Sequence, residues 1–348
     1  MTALTRYDVA VVGGGVIGLS CAWSLAGQGA TVAVVDGRPG SGATWAAAGM
    51  LAPVTEAVYT EQALVDLNLA SSRSWPAFAA ALEGLSGQSV GYRACGTLAV
   101  AADAGDWSVL SDLSRFLEAE GLPFETLAPS ACRRHEPFLS PGLRGGLLAA
   151  EDHQVDPRAL HRALLRACEA TGVRMVRSGA AGLAWRSDRV VGCRTETGET
   201  VEASTTLLAT GAWSGALEWL SGELRPPVRP VKGHILRLQG PTDPPLLTRN
   251  LRGLVGGRHV YLVPRADGRL VLGATVEEKG FDVAVQAGPV SELLEDARAL
   301  VPGLSECQLT ECSAGLRPGS PDNGPLLGPW GADGLLLATG HYRNGVLL

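Results

Sequence analysis

Gly13, Gly15 and Gly18 lie between a short β-branched run and a stretch of helical periodicity, within DVAVVGGGVIGLSCAWSLAGQGATVAVVD at residues 8–36. That spacing suits a nucleotide diphosphate. Gly13 permits a tight turn, Gly15 lets the backbone approach a pyrophosphate, and Gly18 lets the following helix pack close on its strand. The anion then rests on the positive end of the helix. Asp36 closes a second apolar strand about 20 residues beyond the glycines, where a carboxylate can accept from both ribose hydroxyls and disfavours NADP. Residues 8–36 by themselves leave FAD and NAD open.

Three later stretches lean toward FAD. SGATWAAAGMLAP, residues 41–53, is rich in small residues, so its backbone can pass close to a flat ligand that extends beyond the pyrophosphate. An NAD enzyme has no evident need for such a tract there. In TTLLATGAWS, residues 205–214, an apolar strand ends in Ala209-Thr210-Gly211, and Gly211 would let the chain turn beneath the cofactor. In DGLLLATGHYRNGVLL, residues 333–348, a buried strand runs into Thr339-Gly340 and then His341-Tyr342-Arg343-Asn344-Gly345. Glycines on either side of that polar cluster let backbone N–H groups face an anionic or carbonyl-rich ligand.

The elements that must position these residues can be read from periodicity. Residues 7–12 and 31–36 read as buried parallel strands and 16–27 as the helix between them, a βαβ unit. A helix is predicted over 60–85, with Leu64, Leu67, Ala70, Ser71, Trp75 and Phe78 at helical spacing, and another over 104–120 after a strand at 96–100. Asp156-Pro157 is a helix start, with Asp as N-cap and Pro at the first helical position, and Gly172 ends that helix. Strands are expected at 174–176, 189–195 and 206–209. The Pro-rich 224–230 marks a crossing, beyond which period-two strands occupy 234–238, 259–263 and 270–273. A helix at 289–300 and a strand at 307–317 follow.

The expected class is α/β: a Rossmann-like FAD-binding domain assembled from discontinuous segments, with an inserted, mainly antiparallel β substrate domain. The expected boundaries are 1–85, 141–228 and 307–348 for the first domain, and 86–140 and 229–306 for the second.

Composition narrows the partners. The 348 residues are 46% hydrophobic, enough for a large core, and the net charge of −6 with no Lys/Arg run argues against nucleic acid. No stretch approaches the ~20 apolar residues of a membrane span, and no signal peptide is expected. Seven scattered cysteines without a C-x-x-C read as reduced thiols of a cytoplasmic protein, and no His/Cys cluster suggests a metal.

On AAAGMLAP, GHYRNGVLL, YLVPRADGRLVLGAT (261–275) and GLRPGSPDNGPLLG (315–328), the chain resembles the D-amino-acid-oxidase-like flavoprotein family. The likeness is most specific to its glycine-oxidase branch, which serves thiazole synthesis for thiamine, and it covers essentially the whole chain. It implies non-covalent FAD. Gly13, Gly14, Gly15, Val16, Ile17 and Gly18 would hold the diphosphate end, with Asp36 and Gly37 beside the ribose. Ala43, Thr44, Ala48, Gly49 and Met50 would line the cofactor, and Ala180 would touch the adenine through its backbone. Thr210 and Gly211 would pass beneath it. Gly340, His341, Tyr342, Arg343, Asn344, Gly345, Val346 and Leu347 would wrap the flavin ring.

For the substrate, the resemblance implies that Arg317 holds a carboxylate, that Arg343 sits by substrate and flavin, and that Tyr261 covers the substrate with His259 nearby. A guanidinium fork suits a carboxylate because it makes two parallel charge-assisted bonds. The family position after GAT is often Met and is Val276 here, and the family continues beyond the position of Leu348 into a helix that faces the flavin. The implied reaction takes a hydride from Cα of glycine or a small D-amino or N-methyl amino acid to FAD. It yields an imine, then a 2-oxo acid and ammonia, with peroxide from O₂. Thiazole synthase is the implied recipient of the imine, and assembly as a homo-oligomer stays open. Alternatives are a D-amino acid dehydrogenase passing electrons to a quinone, a sarcosine-type oxidase, an NAD-dependent dehydrogenase, and a catalytically silent FAD-binding protein.

Overall fold

The β-branched and apolar runs become strands, and the alternating ones pair as a second sheet. The computed structural model describes residues 6–348, so residues 1–5 of the first expected segment lie outside it. The strands in chain order are β1 (Tyr7–Val12), β2 (Val32–Val35), β3 (Met50–Leu51), β4 (Thr97–Ala101), β5 (Glu125–Leu127), β6 (Gly145–Ala149), β7 (His153–Gln154), β8 (Arg174–Val176) and β9 (Ala180–Arg186). They continue as β10 (Arg189–Thr195), β11 (Thr200–Leu208), β12 (Arg229–Gln239), β13 (Asn250–Val255), β14 (Arg258–Pro264), β15 (Arg269–Gly273), β16 (Gln308–Gly319), β17 (Leu326–Trp330) and β18 (Ala332–Thr339). The helices are α1 (Val16–Gly27), α2 (Ala43–Ala46), α3 (Gln62–Ser86), α4 (Ala104–Ala119), α5 (Pro129–His135), α6 (Pro157–Ala170) and α7 (Ala287–Leu300).

The first sheet has the order β17-β18-β10-β11-β1-β2-β8, with β9 paired to β10 and β18 also paired to β11. At its centre β1 runs parallel to β11 and to β2, with Val11 opposite both Leu207 and Val34. The chain leaves β1 toward β2 on one side, while β11 lies on the other. This is a topological switch point, where open α/β sheets bind ligands beyond their carboxyl ends. Helices α1, α3 and α6 cover one face, burying Leu19, Trp75, Leu160 and Leu164. The Asp156 carboxylate caps α6, accepting from the Arg158 and Ala159 amides at 3.0 and 3.2 Å, and Gly172 beyond its end adopts φ +78°.

The second sheet has the order β16-β12-β15-β14-β13-β4-β6-β5 and is antiparallel except where β13 runs parallel to β4. A small cluster joins the two sheets: Ala46 and Ala48 from the first half of the chain pack on Ile235, Val263 and Val271.

Several expectations shift. Two strands fall outside their expected domain: β6, within 141–228, and β16, within 307–348, both hydrogen-bond into the second sheet. The strand expected at 206–209 begins at Thr200, because its polar first half pairs with β10 as a hairpin arm. Strands β9 and β13 were not expected, since AAGLAWR and NLRGLV lack the β-branched density that signals a strand. In α3 the inward face is Leu64, Val65, Asn68, Trp75, Ala79 and Leu82, and Leu67 and Ala70 point to solvent.

Candidate active site

The nucleotide cradle is built by close backbone approach. Gly13 adopts φ +114°, and a Cβ there would lie 2.3 Å from the Ala209 carbonyl oxygen. A Cβ on Gly18 would collide with the Gly13 carbonyl, so the helix seats directly on the turn. Asp36 braces this turn: one carboxylate oxygen accepts from the Gly14 amide at 2.6 Å and the other from the Arg38 amide at 2.7 Å. Thr44 Oγ1 accepts the Val16 amide at 3.0 Å, tying α2 to the start of α1.

Strands β11 and β18 end side by side in parallel, with Leu208 opposite Leu337. Their matching Ala-Thr-Gly turns are stitched by hydroxyls. Ser214 Oγ lies 2.8 Å from Thr210 Oγ1 and 2.7 Å from Thr339 Oγ1, and it donates to the Gly211 carbonyl. The tail after β18 therefore stands beside the glycine cradle. Its end is anchored by Ser71 and Trp75 of α3, which donate to the Leu347 carbonyl at 2.7 and 2.8 Å.

One cavity of about 1060 Å³ runs from this cradle to the face of the second sheet. Its wall includes Gly13, Gly15, Val16, Ile17, Asp36, Gly37, Ala43, Thr44, Ala48, Gly49, Met50, Ala180, Thr210 and Gly211. Further along stand His341, Tyr342, Arg343, Gly345 and Val346, and then Arg317, Tyr261 and His259. Five of the sequence-derived positions are set behind that wall. Gly14 turns its amide to Asp36 and its carbonyl to His161, whose Nε2 donates at 3.0 Å. Gly18 packs on Gly13, and Gly340 adopts φ +75° against Ser320 and Leu326. Asn344 is buried with its Nδ2 unpartnered, and Leu347 belongs to the core under α3.

At the sheet end two glycines make seats for two side chains. The Arg317 guanidinium lies on Gly233, where a Cβ would fall 2.5 Å from Nη1. The Tyr261 ring lies on Gly273, where a Cβ would fall 2.5 Å from its hydroxyl. Arg317 Nη1 donates to the Thr275 carbonyl at 3.1 Å and leans on that of Lys232 at 3.5 Å, while Nη2 and Nε make no hydrogen bond to a described residue. Burial raises the Tyr261 phenol above its usual range, against the pull of Arg317, so it stays a neutral donor. Burial also holds the His341 imidazole down at about 4, so it is uncharged at neutral pH.

Three charged residues on or near this wall were not singled out by sequence. Arg252, directly opposite Tyr261 across β13–β14, pairs with Glu56. Arg343 pairs with Glu61, which also accepts from Asn323 Nδ2 at 2.7 Å. No motif spacing links these partners, which are 196 and 282 residues apart. Gly233 and Gly273 did leave a signal, as glycines inside alternating strands.

The site suits FAD. The cavity is long and lined largely by apolar and small residues, its near end is a Cβ-free cradle at a helix N-terminus with an acid after β2, and its far end carries guanidinium and phenol groups. Among the described residues no group of His, Cys, Asp and Glu could hold a metal, and no helix is long and apolar enough to cross a membrane.

The FAD dependent oxidoreductase family, DAO, matches residues 8–348. The bifunctional protein ThiO/ThiG of Nostoc sp. (strain PCC 7120) is 38% identical over 348 residues, covering 99% of this chain and 51% of that protein. The chain thus spans about half the length of that relative. The glycine oxidase of Geobacillus kaustophilus is 35% identical over 99% of this chain and 90% of its own. Its crystal structure superposes with a TM-score of 0.89, covering 99% of this chain and 91% of that one.

Proposed function

This chain belongs to the DAO family of FAD-dependent oxidoreductases, and from that premise we propose that it is an oxidase of glycine and other small amino acids. The observation that carries the reading is the Arg317 guanidinium, seated on Gly233 with Nη2 and Nε left open in the wall of the cavity that begins at the glycine cradle. A carboxylate meeting that fork gains paired charge-assisted bonds and is fixed in direction as well as place. Fixing the carboxylate fixes Cα, which converts binding energy into orientation.

FAD, when bound, supplies the two-electron acceptor. Tyr261 closes over the substrate from the sheet, offering a neutral hydroxyl as a donor. Glu61 holds Arg343 at the wall, and Glu56 does the same for Arg252. Both carboxylates are therefore committed to ion pairs. The amine must arrive neutral or lose its proton to solvent before Cα gives up its hydride. His341 adds no charge, since burial keeps it neutral. The product imine hydrolyses to a 2-oxo acid and ammonia, and O₂ is reduced to peroxide.

By analogy with the bifunctional ThiO/ThiG relatives, a thiazole synthase is the proposed recipient of the imine. All seven cysteines are unpaired, which supports a reducing, cytoplasmic setting.

Anaerobic titration of the flavoprotein with glycine, sarcosine and D-alanine tests the assignment. Bleaching of the flavin band by at least one of them, and peroxide on admitting air, is the expected result. A flavin that stays oxidised with all three overturns it. Bleaching without peroxide instead makes the protein a dehydrogenase.

A further inference from the structure

Among the described residues Lys232 is the largest fully buried side chain, and nothing in the reaction above uses it. It sits on β12 beneath residues 274–286, a strap between β15 and α7. An ammonium has three N–H donors. All three are matched from within the strap: Asp282 Oδ2 at 3.0 Å, the Ala284 carbonyl at 2.5 Å and Gln286 Oε1 at 3.0 Å. The Lys232 backbone joins the same segment through two reciprocal bonds with Glu277, at 2.9 and 3.0 Å. His234, two residues along, adds a further fastening. Its Nε2 accepts the Gln286 amide at 3.1 Å, which leaves Nδ1–H to face Glu277 at 2.8 Å.

The strap is otherwise exposed, and beyond Ala274 at its start, which lines the cavity, it reaches the site at two points. Val276 stands in the cavity wall, and Phe281 stacks on Trp213, another wall residue, with centroids 6.2 Å apart. More important is what the strap does to Arg317. Both acceptors of Arg317 Nη1, the carbonyls of Thr275 and Lys232, flank the Lys232–Glu277 bridge.

We propose that Lys232 is a positioning residue for the carboxylate arginine: its caged ammonium fixes the strap, the strap fixes the Thr275 carbonyl, and the two carbonyls set the direction of the Arg317 fork. The inference rests on the reading that Arg317 takes the substrate carboxylate. An ammonium sealed from water is stable only with its acceptors in place, so the strap cannot drift without stranding a buried charge. That couples an exposed surface segment to one rigid orientation of the guanidinium.

The test uses the FAD-loaded enzyme and acetate as the probe, its affinity read from perturbation of the flavin band. Lys232→Met removes the ammonium, and Asp282→Asn weakens the cage from the exposed side, where folding is not at risk. Trypsin cleavage after Lys279 reports the order of the strap. Both variants should bind acetate about tenfold more weakly, the worth of one charge-assisted bond, with faster cleavage and unchanged FAD affinity. Lys232→Arg should recover part of the loss. Unchanged acetate affinity in both variants overturns the proposal, as does loss of acetate and FAD together. Arg317→Ala serves as the reference arm. If that variant binds acetate normally, it is the carboxylate reading that fails, whatever Lys232 does.

Discussion

The guanidinium of Arg317 on β16 lies flat on Gly233 of the neighbouring β12, which gives up a side chain so that a cation can rest against bare backbone. A methyl group at Gly233 would sit 2.5 Å from Nη1 and 2.6 Å from Nη2. The guanidinium would have to shift away from its carbonyl acceptors. Gly233→Ala is therefore expected to displace the fork by roughly 1 Å and lower kcat/KM for glycine by about 10²-fold. FAD should remain bound, because the cradle lies at the other end of the cavity. Steady-state kinetics beside the flavin spectrum check both halves, and wild-type kinetics in that variant would show that the seat is not needed.

Tyr261 and Gly273 form the second such pair, and they separate ring from hydroxyl. Tyr261→Phe removes only the donor and should cost about 0.5–1.5 kcal/mol in kcat/KM. Gly273→Ala puts a Cβ 2.5 Å from the hydroxyl and 2.8 Å from Ile235 Cδ1, so the whole ring must move. The alanine variant should be the more damaged of the two. The reverse order would mean that the hydroxyl, not the placement of the ring, is what the substrate feels.

Much of this architecture was legible in the sequence, and the reasons are local. The βαβ start, the Asp156-Pro157 helix start and the Ala-Thr-Gly turns each depend on a few adjacent residues, so a short window contains the whole signal. The wall of the cavity was harder, because its charges are paired across the fold. Arg343 can be read from its motif, but not that Glu61 holds it, and Arg252 gives no sign of facing Tyr261 until β13 and β14 are in register. Sheet membership of β6 and β16 failed for a similar reason, since strand partners are chosen by tertiary packing. The resemblance implied roles for Arg317 and Tyr261. It said nothing of the glycines beneath them.

Asp36 offers a test at the cofactor end. Its two oxygens hold the Gly14 and Arg38 amides at 2.6 and 2.7 Å, so it shapes the cradle before any ribose arrives. Asp36→Ala removes both charged acceptors, and each hydrogen bond to a charged group is worth about 1.5–3 kcal/mol. FAD affinity, measured by flavin fluorescence on titrating the apoprotein, should fall by at least about tenfold, while Arg317-dependent acetate binding to the fully loaded enzyme persists. FAD binding unchanged from wild type would remove Asp36 from the cofactor site.

Two buried groups titrate in the same window and oppose each other. His341 is held at about 4 by burial, below its ordinary 6.5. Between those values the unfolded chain binds a proton that the folded protein refuses, so stability is lost as pH falls from about 6.5 to 4, by about 3 kcal/mol at full extent. Asp152 is pushed up to about 6 by burial, against the pull of its hydrogen bonds to Thr55 and Val54. There the folded protein keeps a proton that the unfolded chain has lost, so stability falls as pH rises from about 4 to 6. In the wild-type protein the two slopes oppose each other across this range, and His153, His161 and His259, also held below their ordinary range by burial, add to the first. His341→Gln removes its share of the acid-side loss and leaves that of Asp152. On going from pH 4.5 to pH 6 its Tm should therefore gain less than that of the wild type, by the share that His341 contributes. Parallel Tm profiles for the two proteins would mean that His341 is not the buried neutral imidazole the tail encloses.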